Sequence, residues 1–111
     1  RIRQIFLNRV FLGTENVGPE LSIAFSVAEM RNGQPGVVSE NHRVYRALLE
    51  EVRGAQEEGA LTRGTEAGTL TEGLLYAAVG IIQVWRLSGG ELPAREIAER
   101  HIEAIVTLLR P

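Results

Sequence analysis

The chain contains no cysteine, no lysine and no aspartate. Without cysteine there is no disulfide framework, no thiolate nucleophile and no zinc–thiolate cluster. Without lysine there is no amine for Schiff-base chemistry. All 12 basic residues are arginine and all 14 acidic ones are glutamate, which leaves a formal net charge of −2. That balance lacks the positive excess with which a free-standing nucleic-acid binder grips phosphates. Proline is scarce, 4 residues in 111, and with near-neutral charge a disordered tail is not expected. Long apolar runs are scarce too. The longest, Leu74-Leu75-Tyr76-Ala77-Ala78-Val79-Gly80-Ile81-Ile82, resumes only past Gln83 with Val84-Trp85. It falls short of the ~20 residues of a membrane span. No signal-peptide layout is present. The opening Arg1-Ile2-Arg3-Gln4-Ile5-Phe6-Leu7 already reads as mid-helix, so the expectation is a cytoplasmic fragment of a longer protein.

At 111 residues and 44% apolar, residues 1–111 make one domain, with a core that buries about 65% of the unfolded surface. The apolar pattern is helical throughout, with glycine and proline at the joints. A first helix over 1–15 carries Ile2, Ile5, Phe6, Val10 and Leu12. A second, over 19–32, opens on Pro19 as its first residue, carries Leu21, Phe25 and Met30, and is capped by Gly33. A third, over 39–58, takes Ser39 as N-cap and ends at Gly59. A fourth starts at the capping-box pattern Thr69-Leu70-Thr71-Glu72, or earlier near Thr65, and stops at Ser88-Gly89-Gly90. A fifth runs from Pro93 to about Leu109, with Ile97, Ala98, His101, Ile102, Ile105, Leu108 and Leu109 on its apolar face. The expected fold is an all-α bundle of five helices.

The fourth helix is apolar nearly all round, which calls for burial on more than one side. A second subunit, docking through the last two helices, supplies that burial. Gly73, Ala77, Gly80 and Val84 recur at i, i+4, i+7 and i+11 on one face. Two glycines inside a helix cost roughly 1 kcal/mol each against alanine, and close approach of another helix is the usual compensation. That helix belongs either to a partner or to this chain. The expected dimer face comprises Gly73, Ala77, Gly80 and Val84 with Ile97, His101, Ile105 and Leu108. The neighbouring stripe brings Tyr76 and Gln83 into mid-helix, either lining a cavity or facing solvent; buried polar groups need partners. An apolar pocket with a few polar anchors is the general form of a small-molecule site. The candidate lining is Phe11, Phe25, Met30, Tyr45, Leu49, Tyr76 and Gln83, with the two tyrosines as anchors and ordinary core packing as the plainer reading of each. His101 is read as a neutral interface histidine, with protonation at the seam the other reading. His42 has no second ligand on its face, so neither a metal nor a cofactor is assigned. Arg43, Arg46 and Arg53 interleave with Glu50, Glu51 and Glu57 as a solvated face.

Several segments resemble the TetR family of transcription regulators. Ala55-Gln56-Glu57-Glu58-Gly59-Ala60-Leu61 resembles the end of that family's long seventh helix and the Gly-x-Leu after it. Gly80 five residues before Trp85, the Ser88-Gly89-Gly90 break and the amphipathic last helix continue the likeness. Glu15-Asn16-Val17-Gly18-Pro19-Glu20-Leu21 resembles its Glu-Asn-Pro-Glu-Leu joint with two residues inserted. Thr65-Glu66 or Thr69 stands where the family commonly has Asp-Pro, and no helix-turn-helix is present. The resemblance implies the effector-binding and dimerisation half of a homodimeric regulator, usually a repressor. A small, often hydrophobic effector would enter a cavity among the first four helices. It would alter the spacing of two DNA-reading heads, outside this chain, that must match half-sites 34–36 Å apart. This chain alone is not expected to bind DNA. An enzyme is not expected: two histidines and no G-x-S-x-G or H-E-x-x-H are a thin catalytic inventory. The alternatives are a helical homodimer without ligand, and a chorismate-mutase-like enzyme using Arg1, Arg3 and Arg9.

Overall fold

The computed structural model describes residues 1–15, 18, 20 and 35–111. Four helices make up its regular structure: α1 (Ile2–Thr14), α2 (Pro35–Glu57), α3 (Ala67–Leu87) and α4 (Ala94–Leu108). No strand occurs among the described residues. The expected helix over 19–32, with Phe25, Met30 and its Gly33 cap, lies outside them. The fold is therefore all-α with four described helices where the sequence pattern suggests five.

α1 is the hub, packing against α2, α3 and α4. This explains why its apolar groups lie round the helix rather than in one stripe: Phe6, Leu7 and Val10 are buried, and Ile2, Ile5 and Phe11 pack at the margins. α2 adds Leu48 and Val52 to the core; α3 adds Leu74, Leu75, Ala78 and Ile82. Ala98 and Ile102 come from α4, and Leu61 from the α2–α3 loop. α1 and α3 meet closely at Gly13. A Cβ built at Gly13 would stand 2.6 Å from Ile82 Cδ1, so glycine is what lets the two helices meet there.

One helix start differs from the sequence expectation: α2 begins at Pro35 rather than at Ser39, because a proline in the first turn forfeits no hydrogen bond. α3 begins after Glu66 at Ala67, near the earlier of its two expected starts, and Thr69 does not cap it. Thr71, fully buried, turns its hydroxyl back to Ala67 O at 2.7 Å. The C-terminal stops fall where the glycines stand. Gly59 and Gly89 have φ of 79° and 70°, a left-handed geometry that costs glycine little. Ala60 N donates to Ala55 O and Gly59 N to Gln56 O. Gly90 N donates to Trp85 O and Gly89 N to Arg86 O. Both are Schellman closures.

The loop after α2 is clasped by side chains. Gln56 Nε2 donates to Thr62 O and Thr65 O, and Arg63 donates to Gln56 O and Glu57 O. Thr62 N donates to Leu109 O at 2.7 Å, tying that loop to the end of α4. Across the other side, α4 is joined to both ends of α1. Arg3 pairs with Glu103. Arg95 pairs with Glu15 through both carboxylate oxygens, its guanidinium 4.1 Å from the centre of the Phe11 ring. The Glu15 hydrogen bond raises the Arg95 pKa against a smaller desolvation penalty, and the charges of Glu15 and Glu99 add to the rise. A raised folded-state value gives stability that is complete below the ordinary arginine range and lost only above it. The pair therefore brings no pH dependence near neutrality.

At 21 residues, α3 is long and apolar enough by length and composition to cross a membrane, longer than the uninterrupted apolar run suggested. The core helix of a folded domain meets the same description. Here the α3 face bearing Leu74, Ala78 and Ile82 is core.

Candidate functional site

α3 presents two unlike faces. Thr71, Leu74, Leu75, Ala78, Ile82 and Trp85 point inward. The opposite face carries Gly73, Tyr76, Gly80, Gln83, Val84 and Leu87, all exposed. The period of 3.6 residues sorts them, since i, i+3, i+7 and i+11 from Gly73 share one side. A Cβ at Gly73 or Gly80 would meet nothing within 4 Å. Among the described residues, no other helix comes within 4 Å of a side chain added at either glycine.

Beside that stripe, α3 and α4 form an apolar groove of about 560 Å³, lined by Ala77, Gly80, Ile81 and Val84 and by Ile97, Arg100, His101, Ala104, Ile105 and Leu108. Seven of the eight residues expected at a dimer seam line it together. Gly73 lies on the same helix face one turn before Ala77 but outside the lining. Ile81, Arg100 and Ala104 were not anticipated. Ala104 continues the 4-3-4 spacing Ile97, His101, Ala104, Leu108, and that period carries its signal in the sequence. Large apolar side chains cluster at this surface: Leu108 is 82% exposed, Leu87 78%, Tyr76 66% and Val84 52%. Contiguous exposed apolar surface marks an interaction site more often than scattered single residues do.

The described residues among those expected around a ligand lie on separate surfaces. Phe11 is half-buried on a shallow groove between α1 and α2, with Ile5, Leu12, Val44 and Ala47 as apolar walls and Asn8, Arg9 and Arg43 at its rim. Tyr45 lies across the start of α3, its hydroxyl 3.4 Å from the Cβ position of Gly68. Leu49 sits among Arg46, Ala47, Glu50 and Arg53 on the outer side of α2. Tyr76 and Gln83 face solvent. Phe25 and Met30 lie outside the described residues.

Among the described residues no cluster of three or more His, Asp or Glu could hold a metal; His42 lies on α2 and His101 on α4. The α1 arginines diverge. Arg1 pairs with Glu51, Arg3 with Glu103, and Arg9 donates to Asn41 Oδ1. Among the described residues, these three guanidinium groups are directed at three different neighbours.

No family model matches this chain, and no curated protein or solved structure matches it.

Proposed function

We propose that this chain is the dimerisation and effector-binding half of a TetR-like transcription regulator, cytoplasmic, with DNA read by a part of the protein outside this sequence. The observation that carries the reading is the exposed apolar face of α3 and α4. Ala77, Gly80, Val84, Ile97, His101, Ile105 and Leu108 share it, with unfilled space above two helix glycines. An exposed apolar surface of that kind can be covered by the same surface of a second copy in an isologous contact. Such a contact would remove the exposed side chains of Leu108 and Val84 from water at about 25 cal/mol per Å². An effector would act through its differential affinity for the two spacings of the dimer.

Light scattering at micromolar protein tests this. The expected mass is twice 12.2 kDa, and Gly80→Trp is expected to return it to a single chain while the helical circular dichroism is kept. A folded monomer in the unaltered chain would overturn the reading. One observation favours a second possibility, a homodimeric interaction module with no ligand: Tyr76 and Gln83, the mid-helix polar anchors, are exposed. A small-molecule panel that never shifts Tm in a confirmed dimer would favour the module.

A further inference from the structure

His101 lines the α3–α4 groove with Ile97 and Ile105 of its own helix and with Ala77 and Gly80 of α3. Among the described residues, Arg100 is the charged group in that lining. The carboxylates of α4 turn elsewhere. Glu103 is engaged by Arg3, Glu99 acts on Arg95, and Glu96 lies in the first turn outside the lining. α1, packed on the other side of α4, meets it with Arg3 and Glu15. On α3, Glu72 and Arg86 also lie outside the groove. In an isologous contact the partner brings the same patch. Among the described residues, that lining offers each imidazole apolar groups, a second histidine and a second arginine, and no carboxylate.

We propose that His101 makes association of two copies pH-sensitive, the dimer holding when the imidazole is neutral and loosening as it gains a proton. This rests on the dimer reading above and adds a regulatory property to the same face. A histidine ordinarily titrates within the physiological range. Covering it by apolar surface beside like charge disfavours the cationic form. The sign follows: the dimer binds fewer protons than two separated chains, so acid pulls toward the separated chains. For each imidazole, a one-unit difference between free and covered states changes the association constant by up to about tenfold, a limit reached only at pH well below both values.

Sedimentation equilibrium of the full chain at pH 7.5 and pH 5.8, with circular dichroism at both to show the helices intact, reads this directly. The dimer dissociation constant is expected to rise about tenfold on acidification. His101→Gln, neutral at both pH values, is expected to flatten the change, and His42→Gln is expected to leave it as it was. A dissociation constant flat to within twofold, one that falls in acid, or an unchanged slope in both His101→Gln and His101→Asn would overturn the proposal while leaving the dimer standing. A monomer at both pH values would overturn the dimer and this proposal together.

Discussion

At Gly13 the nearest atoms to an added methyl are three carbons of Ile82, at 2.6, 3.0 and 3.2 Å, and Ile82 is itself 2% exposed. The side chain has nowhere to retreat. Gly13→Ala would gain roughly 1 kcal/mol in helix propensity, but overpacking of a filled core costs about 1–3 kcal/mol. The expected net result is a lower urea midpoint, partly recovered in the Gly13→Ala, Ile82→Val double variant. At Gly80 there is no such neighbour within the chain. In solutions dilute enough to hold single chains, Gly80→Ala should raise Tm, by the equivalent of up to ~1 kcal/mol. A fall there would mean that the glycine is packed within one subunit. The sequence alone could not separate these two kinds of glycine. Both interrupt an apolar helix, and only the position of Ile82 distinguishes them.

Among the elements, the ends of α2 and α3 were readable because the signals are local. Gly59 and the Ser88-Gly89-Gly90 turn stop their helices by a left-handed residue and two backbone hydrogen bonds. The starts were less so. Ser39 and Thr69 are good caps in isolation, yet α2 begins at Pro35 and α3 at Ala67, each about one turn earlier than those caps imply. The clasp on the α2–α3 loop was not readable at all. Gln56 and Arg63 look like solvated polar residues, and only folding brings Gln56 Nε2 to two loop carbonyls at 3.0 and 2.9 Å. Gln56→Ala leaves those carbonyls without their donor, one of them on a half-buried residue. The expected cost is about 1–2 kcal/mol, with faster amide hydrogen exchange confined to residues 58–66. Exchange unchanged over that stretch would show that Arg63 alone holds the loop.

For the whole molecule, the surface of α3 and α4 is the property that a periodic pattern can announce. Four residues on one helix and four on the next repeat at helical spacing, and seven of them meet in one groove. A ligand cavity is different in kind, because it depends on several helices converging. The chemistry of Phe11, Tyr45, Leu49, Tyr76 and Gln83 says nothing of the distances between them, and in this fold they occupy separate surfaces. If a second copy covers the α3–α4 face, unfolding is linked to dissociation, so Tm must climb with protein concentration. A differential scanning series over a hundredfold range of concentration checks this, and a constant Tm would speak for a self-sufficient single chain.

The position of α1 at the hub has a kinetic counterpart. Its buried Phe6, Leu7 and Val10 are among the first residues of this sequence, yet α4, which packs against α1, includes Ile102 close to the other end. The Arg3–Glu103 and Glu15–Arg95 pairs join residues 100 and 80 positions apart. Loops of that span must close before the core is complete, and non-local closure slows folding relative to helical hairpins of similar size. α2, α3 and their clasped loop can assemble early from neighbouring contacts. The α1 surface that α4 will cover stays open until nearly all of this sequence has been made, which makes the incomplete chain, rather than the finished one, the species most exposed to aggregation and proteolysis.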